Sequence, residues 1–189
     1  MDQETTTTKS GGHTCPWWFI YTFDNPLRKL IQNPERLLEP YVKHGDTVLD
    51  VGCGMGYFSL GLAKLVGQDG KVISADLQEQ MLAGLQRRAE RAGLFERIQL
   101  QQSTAEQIGV REPVDFALAF WMVHEVRQPQ AFLAQIYELL KPGGKFLIAE
   151  PLIHVSGSAF EQTVSLAKVV GFQVVDQPTV RASRAVLFD

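Results

Sequence analysis

From Thr47 onward the chain alternates between short β-branched apolar runs and longer amphipathic stretches. Strands are expected at 47–51 (TVLDV), 71–76 (KVISAD), 97–101, 114–120 (VDFALAF) and 144–149 (GKFLIA). Between them, Met81, Leu82, Leu85, Ala89 and Ala92 recur at helical spacing and make one apolar face. Phe132, Leu133, Ile136, Leu139 and Leu140 make another. The Pro142-Gly143-Gly144 run is expected to stop the second helix and turn the chain into its strand. Strands alternating with helices imply right-handed crossovers and a parallel sheet covered on both faces, hence an α/β fold. After Glu150 the pattern changes to a helix near 158–170 and two closely spaced strand candidates, 172–177 and 183–188. An antiparallel hairpin at the sheet edge fits these best.

The chain before Thr47 reads differently. Residues 1–12 hold four consecutive threonines and a Gly-Gly pair with almost nothing apolar, so they are expected to form a mobile tail. Residues 13–45 carry an aromatic cluster (Trp17, Trp18, Phe19, Tyr21, Phe23) and then a helix expected to end near His44, punctuated by Pro26, Pro34 and Pro40. That aromatic area has to be covered by something. The remainder, 46–189, reads as one domain without internal repeats.

Composition narrows the function classes. A 189-residue chain suits one core of ordinary domain size. A formal net charge of −3 argues against a general nucleic-acid-binding surface, so no nucleic-acid partner is expected. No apolar run approaches membrane-spanning length and the polar start lacks a signal-peptide core, so no membrane partner is expected either. The two cysteines, Cys15 and Cys53, make no disulfide framework, which points to a reducing compartment, the cytoplasm by default. Nothing in the sequence bears on oligomeric state.

The first strand runs into Asp50-Val51-Gly52-Cys53-Gly54-Met55-Gly56, directly before a helical pattern. Alternating glycines let the main chain turn tightly and leave room for a ligand against the backbone. A dinucleotide fingerprint wants its third glycine five residues after the first, where this chain has Tyr57. That weakens a nicotinamide or flavin reading. A ligand without a pyrophosphate tolerates the shorter spacing. The second strand ends at Asp76, where a carboxylate can accept both ribose hydroxyls of a nucleoside.

With these features the chain resembles the class I S-adenosylmethionine (SAM)-dependent methyltransferases, and more narrowly the ubiquinone/menaquinone-biosynthesis-like group often called type 11. The resemblance is carried by VLDVGCGMGYFSL at 48–60, the acid in VISADLQEQML, VDFALAFWMVHEV at 114–126 and LLKPGGKFLIAEP at 139–151, and covers most of the chain beyond residue 40. It implies a Rossmann-like doubly wound sheet of seven strands in the order 3-2-1-4-5-7-6 with strand 7 antiparallel, and SAM as cofactor. By the same resemblance Asp50, Gly52, Cys53 and Gly54 line the methionine moiety, Asp76 holds the ribose and Leu77 packs on adenine. Thr104, Ala105 and Glu106 flank the adenine edge, and Phe120 with Trp121 closes the methionine side. Where relatives usually place an aspartate beside the adenine amino group, this chain has Ser103-Thr104, so a hydroxyl or Glu106 would have to replace it. In relatives the segment before the first strand tends to lie over the cofactor, which makes Trp17, Trp18 and Tyr21 lid candidates favouring a small, fairly apolar acceptor.

Methyl transfer is an in-line displacement, and holding the acceptor at about 3–3.5 Å from the methyl carbon supplies much of the catalysis. A hydroxyl, thiol or acidic carbon acceptor also needs a base near neutral pH, and histidine is the natural one. His124 and Glu125 follow strand 4, Glu150 and His154 follow strand 5, and neighbouring strands would gather all four at the carboxyl edge where ligands of open α/β sheets bind. His124 is the expected base or acceptor-orienting group, supported by Glu150 or His154. The spacing of these residues lacks a specific metal-ligand pattern, so no metal is assigned. Cys53 reads as a small loop residue, with nothing nearby to activate it. The expected activity is methyl transfer to a small-molecule acceptor; the competing reading is a SAM- or nucleoside-binding module without transferase activity.

Overall fold

The computed structural model describes residues 32–189. The expected tail and the aromatic lid candidates Trp17, Trp18 and Tyr21 lie outside the described residues. Seven strands form one sheet: β1 (Thr47–Val51), β2 (Lys71–Asp76), β3 (Ile98–Gln102), β4 (Val114–Phe120), β5 (Leu140–Pro151), β6 (Val174–Asp176) and β7 (Ser183–Phe188). Their order is 3-2-1-4-5-7-6. All pairings are parallel except those of β7, which runs antiparallel to both β5 and β6. The fold and strand order expected from the sequence are therefore present.

Helices α1 (Pro34–Leu38), α2 (Tyr57–Leu65) and α3 (Glu79–Ala92) contribute to the apolar layer on one face of the sheet, against Val48, Phe116, Leu118 and Leu147. Helices α4 (Pro129–Leu139) and α5 (Gly157–Val170) cover the other, against Leu49, Ile73, Phe146 and Ile148. Adjacent strand residues such as Val48 and Leu49 thus serve opposite layers, as the two-residue period of a strand requires. Each such buried leucine or phenylalanine contributes about 1.5–3 kcal/mol.

Four details depart from the sequence reading. The helix expected to run to His44 stops at Leu38; Glu39 keeps helical geometry, and Pro40, which has no N–H, cannot extend the hydrogen-bond ladder. Ala92, expected on the buried face of α3, is exposed at the end of that helix, just before the left-handed Gly93 cap. The Pro142-Gly143-Gly144 run does not precede a strand beginning at 144; it lies inside β5, which begins at Leu140. Leu140 pairs with Val114 and Lys145 with Phe116, so residues 141–144 bulge opposite Asp115 alone. A Cβ on Gly144 would sit 2.9 Å from the Lys141 carbonyl oxygen, which explains the glycine. At its other end β5 continues to Pro151, so Glu150 is a strand residue rather than part of the following loop.

Candidate active site

A cavity of about 790 Å3 opens at the carboxyl edge of the parallel strands. Its volume falls within the ~300–1,000 Å3 range of small-molecule sites. Each residue that the sequence assigned to cofactor or catalysis lines it: Asp50, Gly52, Cys53, Gly54, Asp76, Leu77, Thr104, Ala105, Glu106, Phe120, Trp121 and His124.

The glycine loop joins β1 to α2 with Gly52, Gly54 and Gly56 all at positive φ. A Cβ on Gly52 would lie 2.7 Å from Met122 Cγ, so glycine is required there by both conformation and space. The loop amides are already committed. Gly52 and Cys53 donate to the Ala75 carbonyl at 2.8 and 3.1 Å, and Gly54 donates to Asp76 Oδ2 at 2.9 Å. With these donors turned to β2, the loop offers close approach rather than an anion cradle, which argues further against a pyrophosphate ligand.

Asp76 accepts the Gly54 amide on Oδ2 and the Gln78 amide on Oδ1, both at 2.9 Å, and lines the cavity where a sugar diol could donate to it. Burial raises its pKa, and these backbone hydrogen bonds oppose the rise. Next to it Leu77 is 45% exposed, an apolar side chain presented to the cavity rather than to the core. A carboxylate that can accept a diol, beside an exposed apolar face, is the pairing that a nucleoside needs. Asp50 is 2% exposed, and its Oδ2 accepts the Ser59 hydroxyl at 2.5 Å, with Ser74 donating to Ser59 at 3.0 Å. Burial pushes its carboxyl up to about 7, with the Asp76 charge adding and Ser59 opposing. Burial likewise pushes the Cys53 thiol well up, so it is no nucleophile.

The 103–108 loop is fixed by its own turn. Thr104 Oγ1 accepts the amides of Glu106 and Gln107 at 3.3 and 3.1 Å, and Gln135 on α4 holds Ile108 N and Glu106 O at 2.9 Å each. Ser103 donates its hydroxyl to the Ile108 carbonyl at 3.0 Å.

At the other end of the cavity, β4 leads into a 3-10 turn at Val123–Glu125 that carries His124. Glu150, 1% exposed on the adjacent strand, binds this turn three times. Its Oε1 accepts the Val123 and His124 amides at 2.7 and 3.3 Å, and its Oε2 meets His124 Nδ1 at 2.5 Å. A carboxylate only accepts, so Nδ1 carries the proton and Nε2 is left as the basic nitrogen. The Glu150 hydrogen bond raises the His124 pKa against the opposing effect of burial, and the Glu150 and Glu125 charges add to the rise. The His154 ring lies nearly parallel to that of His124 with centroids 6.5 Å apart. Glu125 and His154 also line the cavity. Among the described residues no group of three or more His, Cys, Asp or Glu side chains is arranged to hold a metal.

The sequence did not single out Gln78, Met122, Arg127, Gln135 or Ile153, which also line the cavity, and it marked Tyr57 only as a break in the dinucleotide fingerprint. Their positions depend on how loops from distant strands converge, and no spacing in the sequence records that.

Residues 42–176 match the family described as methyltransferase domain. The chain belongs to that family. That family is one of methyltransferase domains. The chain is 33% identical to the demethylmenaquinone methyltransferase of Lactobacillus johnsonii, over 71% of this chain and 59% of that protein. It is 29% identical to the ubiquinone/menaquinone biosynthesis C-methyltransferase of Escherichia fergusonii, over 64% of this chain and 49% of that one. It therefore spans about half the length of the curated relatives it matches. Among solved structures, a SAM-dependent methyltransferase from Aquifex aeolicus superposes with a TM-score of 0.81 at 26% identity, covering 93% of this chain and 98% of that one. The [4+2]-cyclase SpnF superposes with a TM-score of 0.68 at 23% identity over 79% of this chain and 61% of that one, a likeness of fold alone. No helix among the described residues is long and apolar enough to cross a membrane.

Proposed function

We propose that this domain methylates a small-molecule acceptor that gives up a proton on reaction, with His124 as the base and Glu150 as its orienting partner. The observation that carries this reading is the hydrogen bond from His124 Nδ1 to the buried Glu150 carboxylate, which leaves a basic Nε2 on a residue lining the cofactor cavity. Asp76 would hold the ribose, Leu77 the adenine face, and Asp50 with Gly52 to Gly54 the methionine end. Thr104 already spends its hydroxyl oxygen on two amides, so the exposed Glu106 is the better acceptor for the adenine amino group. Bound there, SAM would supply an electrophilic methyl on a cationic sulfur.

The relatives are named for menaquinone and ubiquinone biosynthesis, so a hydroquinone ring is the first acceptor to test. A phenolic hydroxyl is a proton source that His124 Nε2 suits. The test combines calorimetry with S-adenosylhomocysteine (SAH) and an assay of SAH release using reduced 1,4-naphthoquinone. His124→Ala should abolish release while leaving SAH affinity nearly intact; unchanged turnover would remove His124 from the mechanism. Cofactor binding without SAH release from any acceptor would instead support the binding-module reading.

A further inference from the structure

Among the described residues only two non-glycines have positive φ, Trp121 at 60° and Ala182 at 61°. Such a conformation costs a bulky L-residue on the order of 1–3 kcal/mol and persists only where the surroundings impose it. These two lie on opposite sides of one junction. Trp121 leaves the end of β4 for the turn that carries His124, and its amide donates to the Ala149 carbonyl at 2.7 Å. Ala182 precedes β7. Because β7 is antiparallel, its first residue rather than its last lies at the ligand edge, where Ser183 pairs with Pro151. Across the junction Trp121 Nε1 donates to Ser183 Oγ at 2.8 Å.

The turn bearing Ser183 is itself held from two directions. Gln32, 4% exposed, donates its amide nitrogen to the Arg181 carbonyl at 3.0 Å, and the Leu152 amide donates to the Ala182 carbonyl at 3.1 Å. The Gln32 backbone carbonyl also accepts the hydroxyl of Tyr57, a cavity residue, at 2.7 Å. Ser183 is thus a fixed post, tied by backbone and side chains to the chain ahead of α1, to the loop after β5 and to the indole on the cavity wall.

We propose that Ser183 is a positioning residue for methyl transfer: its hydroxyl holds the Trp121 indole against the methionine end of the cavity. It touches neither cofactor nor acceptor and acts through Trp121. The proposal rests on the reading of the cavity as the cofactor site.

The test uses the whole chain labelled with 15N and SAH as the probe. The Trp121 indole N–H resonance is assigned by its loss in Trp121→Phe. Ser183→Ala should shift that resonance upfield, speed its exchange with solvent, and weaken SAH binding about fivefold, the worth of one neutral hydrogen bond. Ser183→Thr, which keeps a hydroxyl, should restore both. In the Trp121→Phe background Ser183→Ala should weaken SAH binding no further. An unmoved indole resonance, or an equal loss of affinity in both backgrounds, would overturn the proposal. Should Ser183→Ala fail to fold, Ser183→Cys, with its weaker acceptor, reads the same two quantities and should give an intermediate shift; parent values for both would overturn it. If the native chain fails to bind SAH, the function proposed above falls; native binding with an unmoved indole removes only the present inference.

Discussion

Replacing Glu150 by glutamine changes almost no volume and reverses one donor. The carboxylate takes three N–H groups, the Val123 and His124 amides on Oε1 and His124 Nδ1 on Oε2. In Glu150→Gln the two backbone amides still demand an oxygen on their side, so the new NH2 group falls opposite Nδ1. That nitrogen must then accept, the ring proton moves to Nε2, and the proposed base is lost. A correctly placed general base contributes about 10²–10⁴-fold, so kcat/KM should fall by that order. Loss of the charge-assisted bond should cost the fold about 1.5–3 kcal/mol. The pH dependence gives the sharper reading. Glu150 holds His124 above its ordinary 6.5. The base works only when neutral, so the native rate falls as pH drops through that raised value, and any residual rate in the variant should fall at a lower pH. The stability effect has the opposite slope. A histidine raised by its partner contributes fully below the unfolded value of 6.5 and loses that contribution as pH rises through the folded value. The melting difference between parent and variant should therefore be larger near about pH 6 than near about pH 9. SAH release against pH, together with melts at both values, checks the argument. An acid limb at the same pH in both proteins, or a variant of parent activity, would refute it.

Three further outcomes follow from the cofactor end. Asp50 is held near 7 by burial, and SAM is a cation, so binding should favour ionised Asp50: affinity should rise with pH through neutrality, with proton release in calorimetry, and Asp50→Asn should flatten both. A carboxyl raised in the folded state also makes the cofactor-free fold less stable as pH climbs from 3.8 toward about 7, which a pH series of melts on parent and variant will show. Gly52→Ala meets φ +67° and a 2.7 Å contact with Met122, so it should lower the melting temperature, with about 1–2 kcal/mol from the backbone alone, and abolish SAH binding; a parent-like melt counts against the loop geometry. Leu77→Ala removes a side chain already 45% exposed, so it should cost the fold under about 1 kcal/mol yet weaken SAH binding about fivefold; equal affinity would detach Leu77 from the site.

The sheet was legible because its strands are buried on both faces. The runs at 47–51, 71–76 and 114–120 are apolar enough to be recognised without context, and the observed strands share those limits. The interior of β5 was not, because Pro142 and Gly143 look like punctuation and their actual role, a bulge opposite Asp115, depends on the register with β4. The glycine loop and Asp76 were legible for a local reason: a turn at a strand tip and an acid at the next tip are adjacent in any sheet where those strands pair. That the loop amides are spent on Ala75 and Asp76 was not legible, since it depends on the path of the loop across β2.

The catalytic end shows where such reasoning stops and why. Four polar residues after two neighbouring strands were expected to meet, and His124, Glu125 and His154 do line one cavity. Nothing local in the sequence, however, separates Glu125 from Glu150 as the partner of His124. The separation comes from β5 running two residues further than its apolar pattern suggests, which brings Glu150 into the sheet at 1% exposure while Glu125 stays on the turn. A carboxylate so buried must have its lone pairs filled, and the turn amides and imidazole opposite are what fill them. Ser183 follows the same logic one strand further on. Its place at the ligand edge comes from the reversed direction of β7, a property of the whole sheet rather than of any stretch of sequence. Residues proposed to bind the cofactor therefore sit where local pattern points, and those proposed to orient the chemistry sit where strand length and direction place them.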